Sequence, residues 1–297
     1  MSSLVSIPLE AYPADALGAL SSGPATLGSA RAAMWLAQLA YEEDTDKVRT
    51  VMARWGLSPL ILFDEDDGTA MARTRGFMAQ ADGVTIVSFG GTDPLVLAHW
   101  ITDLRVGKNA AGVHQGFAEA LEVVWAPIAG ALREPPHALL FTGHSMGGAL
   151  ALLCADRVRS ELGVAPAAVF GFGMPRAGNA AFSKRINAAF GQRVYRFAHG
   201  RDLVPSVPPA LLGYRHAGRY LACARHGRFD LAALSAAPSP EPGNGGGLTD
   251  AFAAVLAQLR ATPAPDAGWQ AQKAFTRLLP DPVADHLPDR YWTALEG

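Results

Sequence analysis

Apolar and polar positions follow one another along the chain in blocks that predict helices and strands. Between Ala30 and Tyr41, apolar residues recur at the spacing of a helix with one buried face. Lys47 to Trp55 is predicted as a second helix, which Gly56 ends. The run from Gly83 to Phe89 is instead rich in β-branched residues and ends at a Gly-Gly pair, which predicts a buried strand.

Beyond residue 115 the predicted elements alternate regularly between helix and strand. Helices are predicted for Gly116–Leu132, Met146 to about Leu162 and Asn179–Phe190, and strands for Ala138–Thr142, Ala167–Phe172 and Arg193–Ala198. Alternation at this spacing predicts an α/β domain over residues 1–297, with a mostly parallel central sheet and helices on both faces. A Gly/Pro-rich stretch at about 236–268 is predicted as a flexible insertion and a candidate cap.

Composition narrows the class of protein. Apolar residues make up 49% of the 297 positions and charged residues 18%, so the chain can form a sizeable core. The net charge of −2 leaves no basic excess to bind phosphates, which argues against nucleic acid as a partner. The two cysteines allow at most one disulfide, and Cys154 lies in an apolar run typical of a buried side chain.

Targeting signals are weak. No apolar run approaches the roughly 18 residues of a transmembrane helix, and no basic residue precedes Arg31, so the N-terminal stretch does not match a signal peptide. We therefore expect a cytoplasmic protein by default, with export without a leader left open.

A candidate nucleophile lies in the stretch Gly143-His144-Ser145-Met146-Gly147. It matches the pattern G-x-S-x-G, in which a serine stands at the apex of a sharp strand-to-helix turn. The pattern alone is weak, but here a predicted strand enters the turn and an apolar helix leaves it. The start of a helix also favours negative charge on the serine oxygen. Ser145 is therefore the predicted nucleophile of an α/β-hydrolase fold.

A serine hydroxyl needs a base, and hydrolases of this fold place serine, acid and histidine in that order along the chain. Asp202 lies in the turn after the strand Arg193–Ala198, at the sheet edge where such turns meet. For the base, spacing leaves His216 and His286 nearly even, whereas His226 lies among arginines and is predicted on the surface.

Acyl transfer also needs two donors for the developing oxyanion. The backbone N–H of Met146, directly after the serine, is one candidate. Thr92, after the Gly90-Gly91 pair, can offer both its N–H and its hydroxyl as the second. The following run, Pro94 to Trp100, is unusually apolar for a connection and is predicted either to pack or to form a lid.

Taken together, the motifs of the chain resemble those of the class 3 (fungal-type) triacylglycerol lipases. The resemblance extends from about Ala30 to Tyr291, over most of the chain. Its motifs are Phe89–Thr92, Trp100–Leu104, His114–Phe117, Gly143–Gly148, Phe172–Asn179 and Asp202–Pro205. Several of these in the right order are far more specific than the serine pattern alone.

The resemblance implies a triad of Ser145, Asp202 and His286, since the family's histidine lies near the C-terminus in a His-x-x-Tyr-like setting. It also implies an oxyanion donor at Thr92 and a short helical lid just after it. Two positions depart from the family. Gly90 stands where an arginine is usual, and Tyr291 follows the histidine by five residues instead of three.

These residues predict a lipase that hydrolyses the ester bonds of acylglycerols through an acyl-enzyme, with no cofactor and no metal. The expected partners are a lipid or ester substrate and, transiently, a lipid–water interface. The alternatives are an esterase for short, soluble or feruloyl-type esters, an acyltransferase, and a non-catalytic hydrolase-fold binding protein. A rate that rises sharply above the solubility limit of a triglyceride would distinguish the lipase from the esterase.

Overall fold

A computed structural model describes residues 5–21, 25–66, 73–92, 107–132, 136–235, 273, 276 and 279–296. Its α-helices are α1 (Leu27–Leu39), α2 (Thr45–Arg54), α3 (Gln115–Ala131), α4 (Met146–Leu162), α5 (Ala180–Ala189), α6 (Asp281–Ala284) and α7 (Pro288–Leu295). Its strands are β1 (Ser58–Asp66), β2 (Arg73–Ala81), β3 (Val84–Phe89), β4 (Ala138–His144), β5 (Ala168–Phe172), β6 (Gly178–Asn179), β7 (Val194–His199), β8 (Tyr214–Arg215) and β9 (Arg219–Cys223).

The main sheet has seven strands in the order β1-β2-β3-β4-β5-β7-β9. β2 runs antiparallel to both β1 and β3, and from β3 to β9 every neighbouring pair is parallel. In register, Phe89 pairs with Gly143, His144 with Phe172, and Phe172 with Phe197. The carboxyl ends of the central strands therefore reach one edge of the sheet, where the loops that follow them can build a site.

Helices cover both faces of this sheet, each over its own apolar cluster. Phe117 of α3 and Leu150 of α4 belong to one cluster. Leu36 of α1 and Val51 of α2 belong to the other, together with Trp292 of α7. The predicted α/β-hydrolase architecture, a mostly parallel sheet between two helical layers, is thus confirmed.

The last helix is joined to the first by an aromatic stack. The rings of Trp35 on α1 and Trp292 on α7 lie 4.5 Å apart at an interplanar angle of 12°. Both indoles are largely buried in the same apolar cluster. Stacked aromatic pairs contribute beyond the area that they bury, so this contact holds the segment after residue 280 against the N-terminal part of the domain.

Most predicted elements are found within three residues of their expected bounds, and α4 spans the predicted range of Met146 to Leu162. Cys154 is buried as expected, and both cysteines are free. Across the described ranges, no helix is both long and apolar enough to cross a bilayer. The single-domain organisation stays a prediction, and the predicted insertion at 236–268 lies outside the described residues.

Candidate active site

Ser145 stands at a tight junction between β4 and α4. Its backbone has φ 58° and ψ −131°, a conformation that non-glycine residues rarely adopt. Its N–H donates to the carbonyl of Phe172 on β5 at 2.8 Å. A Cβ added at Gly143 would lie 2.2 Å from the carbonyl carbon of Gly147. A Cβ added at Gly147 would lie 2.3 Å from the carbonyl oxygen of Phe89. The two glycines therefore allow the close approach that the turn needs.

His286 lies between Ser145 and Asp202. Its Nε2 is 2.9 Å from Ser145 Oγ, and its Nδ1 is 2.8 Å from Asp202 Oδ2. An ionised carboxylate only accepts hydrogen bonds, so Nδ1 carries the proton and Nε2 accepts from the serine hydroxyl. The side chain of Asp202 is fully shielded from solvent and that of His286 is 5% exposed.

Two further donors hold the Asp202 carboxylate. Tyr291 on α7 donates its hydroxyl to Oδ2 at 2.5 Å, and the N–H of Val204 donates to Oδ1 at 2.8 Å. The tyrosine oxygen in turn accepts the N–H of His199 at 3.1 Å. Burial, and then the charge of Asp202, raise the pKa of Tyr291 well above its usual value, so it remains a neutral donor.

His216, the competing histidine on spacing, lies elsewhere. It is buried, and its Nε2 is 2.7 Å from the carbonyl oxygen of Pro205. Burial lowers its pKa well below the usual value, as do the nearby cations Arg196 and Arg176. The structure thus brings Ser145, Asp202 and His286 together and directs His216 towards the backbone.

The predicted oxyanion donors face one another beside Ser145. Thr92 donates its hydroxyl to the sulfur of Met146 at 3.2 Å. Met146 begins α4, where backbone N–H groups have no partner within the helix. A Cβ added at Gly91 would lie 2.0 Å from the Tyr41 hydroxyl and 2.9 Å from Ser145 Cβ, so only glycine lets the loop pass this close to the serine.

Gly90, where the resemblance noted from the sequence makes an arginine usual, has no room for a side chain. A Cβ there would lie 2.5 Å from the carbonyl oxygen of Ala40. The N–H of Gly90 donates to the carbonyl of Arg75 at 2.9 Å. The guanidinium of Arg75 donates to the carbonyl of Tyr41 at 3.1 Å. The backbone of Arg75 on β2 thus supports this loop, while its guanidinium holds the Tyr41 carbonyl.

A buried pair on the other side of His286 was not foreseen from the sequence. The hydroxyl of Tyr41 and Nδ1 of His144 are 2.7 Å apart, and the ring of His144 lies 4.6 Å from that of His286. Burial lowers the pKa of His144 well below its usual value, and His286 lowers it further. His144 therefore stays uncharged beside the triad. Tyr41 follows a helix and carries no local signal for this contact.

The predicted lid at 93–100 and the candidate cap at 236–268 both lie outside the described residues. In the described part of the chain, a buried serine is hydrogen bonded to a histidine, and the histidine to a buried aspartate. Two candidate donors lie beside the serine at the carboxyl edge of the sheet.

Comparisons with known proteins find lipases among the relatives of this chain. The family Lipase (class 3) matches residues 86–212. A secreted mono- and diacylglycerol lipase of Fusarium solani is 36% identical over 142 residues, which cover 44% of this chain and 41% of that protein. A lipase of Rhizomucor miehei is 30% identical over 164 residues, 50% and 45% of the two chains. The chain thus spans about half the length of the curated relatives that it matches.

Solved structures show the same fold. A lipase from Rhizopus microsporus var. chinensis superposes with a TM-score of 0.58 at 22% identity, over 77% of this chain and 84% of that one. The Rhizomucor miehei lipase–propeptide complex gives a TM-score of 0.56 at 24% identity, over 69% and 70%.

The relatives overturn one expectation. A cytoplasmic location was the default because no leader is apparent, but relatives from Fusarium solani, Malassezia restricta and Penicillium cyclopium are named secreted lipases. The default was wrong because the absence of a recognisable leader pattern is weak evidence about location. The family match over residues 86–212 and the relatives named as lipases together show that this part of the chain is similar to class 3 lipases.

Proposed function

We propose that this protein is a serine carboxylic ester hydrolase that cleaves acylglycerols through an acyl-enzyme on Ser145. The observation that carries the proposal is the continuous hydrogen-bonded sequence from Ser145 Oγ through His286 to Asp202, with distances of 2.9 and 2.8 Å. We choose acylglycerols as the substrate class because relatives that match this chain are named mono- and diacylglycerol lipases.

In the first half of the reaction, Ser145 Oγ attacks the ester carbonyl carbon while its proton passes to His286 Nε2. Asp202 stabilises the imidazolium that forms, since its carboxylate is hydrogen bonded to Nδ1. The carbonyl electrons move to oxygen, and the Met146 N–H and Thr92 donate to this oxyanion. When the tetrahedral intermediate collapses, the C–O bond to the alcohol breaks and His286 returns the proton to the leaving oxygen.

In the second half, water attacks the acyl-enzyme. His286 Nε2 takes a proton from that water as its oxygen bonds to the carbonyl carbon. The same two donors hold the second oxyanion, and its collapse releases the fatty acid and returns the proton to Ser145. Tyr291 and Val204 keep Asp202 in place through both steps, because each donates a hydrogen bond to its carboxylate.

Contact with a lipid–water interface is part of the proposal. Leu211 is 88% exposed and Leu212 43% exposed, in a turn that follows β7 and Asp202. The backbone of this turn is held by two cations, since Lys108 donates to the Leu212 carbonyl and Arg215 to that of Ala210. Two leucines exposed on a braced turn at the edge that carries Ser145 suit contact with a lipid surface. Relatives named as secreted lipases support the proposal that the protein meets this interface outside the cell.

A fluorophosphonate probe tests the nucleophile, because it labels only an activated serine. We expect labelling and ester hydrolysis in the wild type, and loss of both in Ser145→Ala and His286→Ala. Ser183→Ala is the matched control, since Ser183 is also buried but bonds to the His216 carbonyl, away from the site. Activity that survives in His286→Ala and is lost in His216→Gln would overturn the assigned base. Rates on esters of increasing acyl length then separate the lipase from a short-chain esterase.

A further inference from the structure

His286 belongs to a segment whose position the triad alone does not explain. It follows α6, a helix of only four residues, and lies 84 residues beyond Asp202 along the chain. The hydrogen bonds of the ring to Asp202 and Ser145 orient the imidazole, but they do not fix the backbone of the short segment that carries it. A general base, however, must be held to within a fraction of an ångström of its serine. Contacts outside the triad must therefore hold this segment.

The neighbouring residue, Asp285, supplies such contacts. Its side chain is 1% exposed, and Oδ2 accepts the backbone N–H of Arg201 at 2.8 Å. Asp202 in the same turn binds His286, so two adjacent residues of the turn bind two adjacent residues of the C-terminal segment. The two hydrogen bonds run in opposite directions, because one carboxylate comes from each side. This pairing ties the acid and the base to a common backbone.

Arg225, in the loop after β9, completes the arrangement. Its Nε lies 3.1 Å from Asp285 Oδ1, and its terminal nitrogen also contacts the carboxylate of Asp281 on α6. One guanidinium thus bridges Asp281, the first residue of α6, and Asp285, the residue after its end, as its planar fork allows and a lysine ammonium does not. It also neutralises a carboxylate that would otherwise be buried as an uncompensated charge.

Gly200 shows that the backbone is shaped for this contact. It has φ +54°, and a Cβ there would lie 2.3 Å from Asp285 Oδ2 and 3.2 Å from the Arg225 Cα. Only glycine lets the turn between His199 and Asp202 approach the Asp285 carboxylate so closely. The turn, the carboxylate and the arginine therefore form one fitted unit beside the triad.

We propose that Asp285 and Arg225 are a positioning pair that holds His286 in line with Ser145 and Asp202. The inference rests on the proposed hydrolase function, since it concerns the base of that reaction. Neither residue touches the serine or the substrate; both act through the segment that carries the imidazole. Breaking the pair should displace the base, so kcat should fall while KM stays unchanged. A general loss of stability would instead lower the fraction of folded enzyme.

The test compares Asp285→Asn, Arg225→Ala and Arg225→Lys with Arg185→Ala, each well below its own Tm. Arg185 makes a matched ion pair with Asp156 between α4 and α5, away from the site. With a soluble ester, we expect kcat to fall about 10- to 100-fold in Asp285→Asn and Arg225→Ala. In these two variants KM should change by no more than about twofold. In Arg185→Ala, both kcat and KM should stay within about twofold of the wild type. Arg225→Lys should recover part of kcat, since it keeps the charge but not the bridge.

A second readout does not depend on activity. The proton on His286 Nδ1, hydrogen bonded to buried Asp202, should give a low-field NMR resonance, assigned by its loss in His286→Gln. We expect this resonance in the wild type and in Arg185→Ala, and its loss or broadening in Asp285→Asn and Arg225→Ala. Wild-type kcat in Asp285→Asn, or an unchanged resonance in that variant, overturns the positioning role. Failure of the wild type to label would refute the hydrolase function, and the resonance would still decide the role of the pair.

Discussion

Gly173 offers a sharp test of how closely the acid and the base are packed. It directly follows β5 with φ +57°, and its N–H donates to the Phe197 carbonyl at 2.9 Å. A Cβ at this position would lie 2.7 Å from Asp202 Oδ2 and 3.0 Å from both Nδ1 and Cε1 of His286. Gly173→Ala therefore places a methyl group against the hydrogen bond between these two side chains.

The size of the effect follows from these distances. Ordinary Cβ contacts begin at 3.4 Å, so the methyl group is about 0.7 Å too close to the carboxylate and about 0.4 Å too close to the ring. Asp202 is also held by Tyr291 and Val204, so the less restrained His286 should move more. A displacement approaching 1 Å can cost about 100-fold in rate, so we expect kcat/KM to fall roughly 10- to 100-fold.

Gly163→Ala is the matched control. Gly163 has φ +74°, but nothing lies within 4 Å of its added Cβ. Both variants pay the left-handed backbone cost of about 1–2 kcal/mol, which urea unfolding measures, and only Gly173→Ala disturbs the site. Initial rates on a soluble ester, together with fluorophosphonate labelling, give the comparison. Equal kcat/KM in the two variants would refute the view that Gly173 makes room for the acid–base pair.

Three further predictions concern other parts of the structure. Tyr291→Phe keeps the ring but removes a donor to Asp202 and an acceptor for the His199 N–H, so urea unfolding should show a loss of about 1–3 kcal/mol; an unchanged midpoint would contradict the buried hydrogen bonds. Leu211→Ser should weaken adsorption to triglyceride emulsions about 10-fold or more while sparing soluble esters. Leu162→Ser, at the far end of α4, should leave adsorption to the emulsion unchanged. Equal losses of adsorption in the two variants would argue against contact of the lipid with the turn that carries Leu211. Burial lowers the pKa of His144, His199 and His216, so below about pH 6.5 the unfolded chain takes up protons that the folded chain does not. Stability should therefore be complete above that pH and fall by up to about 1.4 kcal/mol per histidine for each unit below it. His216→Gln should make this slope shallower in unfolding measured against pH, and a flat wild-type profile would refute the argument.

The central elements were predictable because their signals are local. β3, β4 and β5 are buried almost throughout and are mostly apolar, and β7 is buried too although Arg196 interrupts its apolar residues. The antiparallel pair β1–β2 and the edge strand β9 were missed. Most of β1 is exposed, with only Phe63 buried, and β9 buries only Leu221. β1 and β9 lie at the sheet edges and face solvent, so their sequences carry little of the alternation that predicts a strand. β2 is buried at its centre, but it contains Gly76 and only one β-branched residue, Thr74, so its strand signal is weak as well.

The site divides in the same way. Ser145 and Asp202 follow buried strands, and the chain order of the fold suggests them before any geometry is known. The base lies 141 residues beyond the serine, and spacing alone left His216 and His286 even. Only the tertiary packing distinguishes the two histidines, because it places His216 against a backbone carbonyl and His286 against the serine. The bridge of Arg225 to two acids is likewise a product of tertiary structure.

The stack between Trp35 and Trp292 bears on when the site comes into being. Synthesis proceeds from the N-terminus, and the first parts of a chain can fold while later parts are still being made. A ribosome-bound chain that ends at residue 280 would hold the serine and its acid but no base. Reactivity towards esters would begin only when the late segment emerges and its indole settles on α1. A nascent chain that lacks this segment would therefore not hydrolyse lipids of the cell that makes it.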